Sequence, residues 1–539
     1  MPPVDRTEVV FAQIARQMLE TLNFAEARFQ DTLILDRPFG TLWIQSSFAW
    51  LSGAPDAIAS YRMASATFTI AGICLLFLLS RSLYGGMTAL WAALWLAGAP
   101  LIILQGHLAL SKPLLLPCLV IAQLSLAHVY AGSKSSPGLM TSLFWMAQVL
   151  AAIIGGLAIA TLSFVTIIAL IIWDRSAARF KSLVMHPAAL AWLAVVAAWS
   201  YSHIIYFAGN AEKAEDFWAS IGALIEPQHM HLTAPPGAFI LLLMAGVLPM
   251  LVVLFPAIDL IRQQLSDRKI KFLLAWIAPY ILVLELFSTK PPTYMVQSVI
   301  PAIALLSALV MARIAADRSS LKGQAHQWWL AGWLLTSLIQ PFAFLGFAWL
   351  GGLQINFLSI AVAFAMSFLF AGSVLALRRN FIYLFALLSS LAGLAIYPLL
   401  FSQVLPSYKS GWVSPQLKDA LSQLQACAAQ PVAVLSYTEP SIVFLLGTKT
   451  DLTASPEAAR EALVEQKRFV VVDSRQSDRF NQQLSAQNGV RQLPIACISG
   501  INYARAEDVT LEVYIPSQNR DQASCQALQQ YMCTPQRQR

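Results

Sequence analysis

The feature that constrains this chain most is a series of apolar windows, each about 20 residues long and nearly free of charge, between residues 60 and 402. Coiled as α-helix, such a window matches the hydrocarbon thickness of a bilayer. Helices satisfy their own backbone groups, which lipid cannot do. Twelve windows are read, at 60–80, 86–104, 113–131, 140–156, 157–173, 187–207, 237–257, 272–288, 295–313, 327–349, 354–376 and 381–402. The pair within 140–173 is divided at Gly155-Gly156, because two adjacent glycines are the strongest local interruption there. Only 12% of the 539 residues are charged, against roughly 25% in a soluble domain. A soluble cytoplasmic enzyme and a disordered or fibrous chain are both excluded. The fold class is an α-helical integral membrane protein with about 12 spans and a C-terminal α/β external domain.

Basic residues set the orientation. With twelve spans, one face collects fourteen: Arg81, Lys134, Arg175, Arg179, Lys181, Arg262, Arg268, Lys269, Lys271, Arg313, Arg318, Lys322, Arg378 and Arg379. The inter-helix loops of the other face hold only Lys112, Lys213 and Lys290. Cytoplasmic loops are enriched in Lys and Arg, so the first set faces the cytoplasm. Three regions follow: an external amphipathic segment at 1–59, a transmembrane domain at 60–402, and an external α/β domain at 403–539. An external N-terminal segment is normally preceded by a helix that carries it across; either this one is translocated without a leading span or, as expected here, a first span is missing from this sequence. The net charge of +7 is explained by topology and does not imply nucleic acid.

Residues 8–22 place Phe11, Ile14, Ala15, Met18, Leu19 and Leu22 at helical spacing, with Gln13, Arg16 and Gln17 opposite. Two readings fit: a helix lying along the membrane surface, and one packed beneath the external domain. Asp5 begins it as a cap or as a dipole partner. In the tail, 432–437, 468–474 and 509–516 read as strands and 456–466 as a helix, which together indicate a small α/β domain. Cys427, Cys497, Cys525 and Cys533 allow three disulfide pairings or free buried thiols. Cys74 and Cys118 lie in spans as packing residues.

Four external pieces place polar groups among apolar ones: VDRTEVVFAQIARQML (4–19), RFQDTLILDRPFGTLWIQ (28–45), GHLALSK (106–112) and LELFSTKPPTY (284–294). A fifth, LTAPPG (232–237), is a turn leading into a span. In order and spacing these resemble the bacterial family 39 glycosyltransferases. That is the C-type membrane fold shared with protein O-mannosyltransferases and the lipid A aminoarabinose transferase. The family pattern runs DRDE-x-RFAQ-x-x-RQML, KKP-x-G-x-x-WLQ, HLA-x-TD and FEL-x-x-TKLPHY. YTEPSIVFLLGTKT (437–450) and INYA (501–504) are similar to its external domain, so the resemblance covers nearly the whole chain.

The resemblance implies transfer of a sugar from a polyprenyl-phosphate carrier to an envelope glycolipid, glycan or protein. It places the active face and tail in the periplasm of a bacterial inner (cytoplasmic) membrane. A lipid-phosphate leaving group needs cations where charge develops. Arg37 matches the lysine of KKP and Lys290 that of TKLPHY; His107, Lys112 and Tyr294 complete the expected donor-phosphate group. Snorkelling is the structural alternative for Lys290, a surface pair with Asp36 for Arg37, and an interfacial aromatic for Tyr294. Glu285 matches the glutamate of FEL; a structural role is expected, through pairing with a cation.

The departures concern proton transfer. The first family aspartate falls at Thr7, the second at Lys112, and the histidine of TKLPHY at Thr293. Acceptor activation calls for a carboxylate base, and Glu8 and Asp5 are the carboxylates left. Adjacent helical residues point about 100° apart, so Glu8 replaces residue 7 only with a shift. Either Glu8 or Asp5 acts as base with Lys112 as an added cation, or the chain is a non-catalytic carrier-lipid binder or partner subunit. A transporter is the third class, against which stands the absence of an internal repeat. No metal-ligand motif, phosphate-binding loop or C-x-x-C occurs. His229 and His231 share one loop, and a divalent ion near Asp36 and Glu8 would come from family analogy alone.

Overall fold

The computed structural model describes the chain except residues 5–6, 35–38, 133–136, 209–235, 288–293, 317–322, 351–354, 356, 489–491, 503–506, 520–524, 526–530, 532 and 534–539. Two helices, α1 (Thr7–Thr21) and α2 (Phe39–Ser52), flank a small antiparallel hairpin of β1 (Arg28–Phe29) and β2 (Thr32–Leu33). All twelve apolar windows are then occupied by a helix or by consecutive helices. The first ones are α3 (Ile58–Tyr84), α4 (Gly86–Ala97), α5 (Pro100–Gly106), α6 (Ser111–Ala131), α7 (Pro137–Gly155), α8 (Ala158–Asp174) and α9 (Ala188–Ala208). After them come α10 (Ala238–Gly246), α11 (Leu254–Gln264), α12 (Arg268–Phe287), α13 (Ile300–Ala316), α14 (Gln324–Leu350), α15 (Phe357–Arg378) and α16 (Ile382–Leu391). Among the described residues, 5 helices are long and apolar enough to cross a membrane, or up to 7 if each bent pair is one span.

The interruptions have local causes. α7 and α8 part at the glycine pair, where Gly156 takes a left-handed φ of 75° that favours glycine. Gly155 also lets α7 approach α6: a Cβ there would stand 2.3 Å from Leu115. α4 and α5 bend by 60°, where Pro100 removes an N–H and disfavours helix at Ala99. The last window ends in two π-helical stretches, Ala392–Ile396 and Leu400–Val404. Gly393 there lies against Gly98, so close that a Cβ would come within 2.2 Å of the Gly98 carbonyl oxygen.

Inside the membrane part, burial is mostly apolar and neutral, with Asp174 at the end of α8 held by Tyr130 and Lys271. Trp95, Trp276, Phe272 and Phe385 are fully buried. Gln123 and Gln148 both donate to the Ser163 hydroxyl, at 3.2 and 2.8 Å, tying α6, α7 and α8. Such interhelical hydrogen bonds suit a solvent that offers none.

The C-terminal domain holds a five-stranded sheet of β3 (Ala429–Leu435), β4 (Asp451–Thr453), β5 (Arg468–Asp473), β6 (Ala496–Asn502) and β7 (Glu507–Tyr514), in the order β4-β3-β5-β7-β6. β3 is parallel to β4 and β5, and β7 is antiparallel to β5 and β6. The sheet period of two sends Val432, Val434, Phe469 and Val471 to one core, packed on Leu417 and Leu421 of α17 (Val413–Gln423). Ala433, Leu435, Val470 and Val472 go to the other, with Leu463 of α19 (Pro456–Val464) and Phe480 of α20 (Ser477–Asn488). Between β3 and β4 runs α18 (Pro440–Leu446). The cysteines pair as Cys427–Cys525 and Cys497–Cys533. Cys118 is buried in α6 and Cys74 is exposed on α3, both as free thiols.

Of the two readings of α1, the structure selects packing beneath the C-terminal domain. Its apolar face (Val9, Phe11, Ala12, Ile14, Ala15, Met18) is buried, and so are Gln13 and Gln17 on the other side. The polar face meets the domain instead of water. Gln13 Nε2 donates to Thr448 Oγ1 at 2.7 Å, and Arg16 Nη1 donates to the Phe444 carbonyl at 2.9 Å. Phe444 also meets Tyr61 of α3 edge-on, ring centroids 5.9 Å apart.

Candidate functional site

Of the expected site residues, the described ones that meet are on α1 and the α5–α6 link, where Glu8 bonds the backbone of the segment carrying His107 and Lys112. Glu8 lies in the first turn of α1 and is 1% exposed. Arg62, one turn into α3, grips it with two charge-assisted hydrogen bonds: Nε to Oε1 and Nη2 to Oε2, each 2.7 Å. This fork-to-carboxylate geometry is the strong form of the ion pair. Oε1 also accepts the Ala109 N–H at 2.8 Å, and Oε2 the Val4 N–H at 2.9 Å. The guanidinium donates further to the carbonyls of Met1 and Pro2. Four donors therefore surround one carboxylate.

Ala109 belongs to the link between α5 and α6, which carries His107 and Lys112. His107 caps α5, and its Nδ1 donates to the Ile103 carbonyl at 2.8 Å. A carbonyl only accepts, so the neutral ring carries its proton on Nδ1 and leaves Nε2 as an acceptor. The ring faces Phe401 of the second π-helical stretch at 6.3 Å between centroids. Lys112, half-buried, is the second residue of α6. No ion pair with a carboxylate engages it among the described residues. The positive end of the α6 macrodipole adds to its charge.

Arg37 lies outside the described residues, but the helix it leads into is held tightly. A Cβ on Gly40 would stand 2.5 Å from the Ile153 carbonyl oxygen, and Thr41 Oγ1 donates to the Ile154 carbonyl at 2.6 Å. The start of α2 is thus jammed against the end of α7, which only glycine at position 40 permits. Asp5, Asp36, Lys290, Thr293, His229 and His231 also lie outside the described residues. Thr7 begins α1 and Tyr294 begins a 3₁₀ turn (Tyr294–Val299), which Trp276 Nε1 anchors through the Ser298 carbonyl at 2.9 Å.

Glu285 has a structural role: its Oε2 accepts the Gly237 N–H and its Oε1 the Ile240 N–H, each at 2.8 Å, with no cation beside it among the described residues. It caps the N-terminus of α10, where a carboxylate meets orphan N–H groups and the positive dipole end. Gly237 takes a φ of 90° there, in line with a turn that leads into a helix. Among the described residues, no three His, Cys, Asp or Glu side chains gather to hold a metal ion. Glu8, with both oxygens engaged by N–H donors, does not fit a metal ligand.

The sequence reading passed over Arg62. Its signal was present: an arginine inside an apolar window is costly unless paired, and a buried partner should have been sought. The Glu439–Asn502 pair was also missed; Asn502 Nδ2 donates to the buried Glu439 carboxylate at 2.9 Å. It joins the 437–450 and 501–504 motifs across the C-terminal domain.

Comparison with known proteins adds the following. No family model matches the chain. A curated relative, the undecaprenyl phosphate-alpha-4-amino-4-deoxy-L-arabinose arabinosyl transferase of Erwinia tasmaniensis, is 27% identical over 314 residues, 56% of this chain and 54% of that protein. The match thus spans about half the length of the curated relative. Among solved structures, ArnT from Cupriavidus metallidurans in the apo state superposes with a TM-score of 0.70 at 16% identity, covering 97% of this chain and 95% of that one. The same protein bound to undecaprenyl phosphate gives 0.68 at 16% identity, over 97% and 96%. The chain has the ArnT fold, membrane helices and C-terminal domain together.

Proposed function

We propose that this protein transfers a sugar, a hexosyl or pentosyl group, from a polyprenyl-phosphate carrier to an acceptor in the bacterial cell envelope. The reaction would take place on the periplasmic face of the inner membrane, beneath the C-terminal domain. The observation that carries the reading is the near full-length superposition on an ArnT structure that holds undecaprenyl phosphate. The curated relative, named for sugar transfer from the same carrier, supports it.

In the reaction, the bond between the sugar C1 and the carrier phosphate oxygen breaks while the acceptor oxygen bonds to C1. Arg37 and Lys290, with Lys112, His107 and Tyr294 nearby, would stabilise the negative charge left on the polyprenyl phosphate. A hydroxyl acceptor also needs a base. Glu8 is committed to four donors, so that task falls to Asp5. An acceptor whose attacking oxygen is already anionic, such as a phosphate monoester, needs no base at all. Lys112 at a family aspartate position suits that class by attracting its charge.

A second reading, a carrier-lipid binder without transfer, is favoured by the same saturated carboxylate together with Thr7 and Lys112 at the aspartate positions. One assay separates them. Purified protein is given labelled polyprenyl-phosphate sugars and glycolipid acceptors with and without phosphate, alongside Lys290→Ala and Thr7→Asp. Transfer that Lys290→Ala destroys supports the enzyme. Carrier binding without transfer, with activity gained in Thr7→Asp, supports the binder.

A further inference from the structure

We infer that Arg62 is a positioning residue for this site, and that Glu8 is its structural partner instead of the proton acceptor. The inference deepens the proposed function and rests on it for the kinetic part only.

The geometry is specific. One guanidinium reaches the Glu8 carboxylate through Nε and Nη2 and the Met1 and Pro2 carbonyls through Nη1 and Nη2. Glu8 in turn receives the N–H groups of Val4 and Ala109. A single ion pair thus joins the N-terminal segment, α1, α3 and the α5–α6 link. Ala109 is fully buried and stands between His107 and Lys112 in sequence. Its N–H bond to Glu8 fixes the turn that delivers both side chains.

Proton acceptance is a poor use of this carboxylate. Protonating either oxygen would remove the counter-charge of a part-buried guanidinium and put a proton where an N–H already points. The pair is also shielded, Arg62 being 14% and Glu8 1% exposed at the side chain. What the pair does supply is register. If the α5–α6 link shifts, Lys112 moves relative to the carrier phosphate, and small misplacements of a charge-stabilising group are costly.

Two variants test this. Glu8→Gln keeps the size but removes the charge and turns one acceptor oxygen into a donor that opposes Arg62 and either Ala109 or Val4, loosening the hold on Ala109; Arg62→Lys keeps the charge but loses the fork. Hydrogen exchange of the peptide spanning 107–112 is measured in each, with exchange in β3 (Ala429–Leu435) as the folding control. Faster exchange at 107–112 in both variants, with β3 unchanged, is the expected result. Unchanged exchange at 107–112 in both overturns the positioning role, whether or not the wild type transfers sugar. Where transfer is measurable, both variants raise KM for the carrier sugar about tenfold with a smaller loss in kcat. The pH–rate profile keeps its acid limb in both. Abolished kcat in Glu8→Gln beside near-normal kcat in Arg62→Lys would restore Glu8 as the base. If exchange responds as expected but the wild type transfers nothing, the proposed function fails and the positioning role stands.

Discussion

The membrane helices and the C-terminal domain differ in how they bury polar groups. Between the helices most buried partners are neutral, as with Gln123 and Gln148 on Ser163 and Trp95 Nε1 on Ser389 Oγ at 2.9 Å, and charge appears at the end of α8, where Asp174 pairs with Lys271 at 3.0 Å. The C-terminal domain, which borders water, uses charge. Arg475 holds the buried Asp473 carboxylate at 2.6 Å and Glu507 at 2.8 Å, bonds that push its own pKa further up. The Arg62–Glu8 pair lies at the seam between the two. Charge is tolerated there because every face of the carboxylate meets a donor. Each of these carboxylates lies outside the apolar middle of the helices and is met by donors: Glu8 at the seam, Asp473 in the C-terminal domain and Asp174 at the end of α8.

The sharpest way to break that comparison is Arg62→Met. Leaving Glu8 buried without its cation should cost about 3–5 kcal/mol, read as a fall in the thermal midpoint of the detergent-solubilised protein. A loss no larger than that of a neutral pair would mean the seam behaves like the bilayer interior. Next is Cys427→Ser. Its bond to Cys525 closes a separation of 98 residues, so its loss should cost about 3–4 kcal/mol. Protease should then cut the C-terminal domain at lower denaturant while α3–α8 remain protected. Ser163→Ala removes the acceptor of two amides within the membrane. Because neutral interhelical bonds are weak there, the expected loss is about 1 kcal/mol by the same thermal measurement. Smallest is Glu285→Gln, which keeps one acceptor for the α10 N–H groups but removes the charge. A loss of about 0.5–1 kcal/mol is expected, with faster hydrogen exchange confined to 237–241.

These contrasts also show what could be read from the residues. The windows were legible because about 20 uncharged apolar residues permit few other structures. The Gly155-Gly156 break was legible because it needed only local backbone preference. α2 was not marked as a helix, since FGTLWIQSSFAWLS is too short to span and its polar positions answer to α1 and α7 instead of water. Gln13 and Thr448 lie 435 residues apart in sequence; no periodicity announces that the polar face of α1 will be covered. Disulfide pairing was open for the same reason, as spacing does not fix which strands meet. The site was half legible. Family motifs marked Glu8, His107 and Lys112, but the use of Glu8 depended on Arg62, whose signal lay in a window read for its apolar character.

The proposed transfer requires that sugar leave polyprenyl phosphate on this protein. The most direct test follows free polyprenyl phosphate and labelled acceptor together, in one reaction of the wild-type protein with a labelled carrier sugar and envelope glycolipids. Both should appear in equal amounts, and neither should form without acceptor. Stoichiometric binding of the carrier with no release of polyprenyl phosphate, across hexosyl and pentosyl donors, would contradict it.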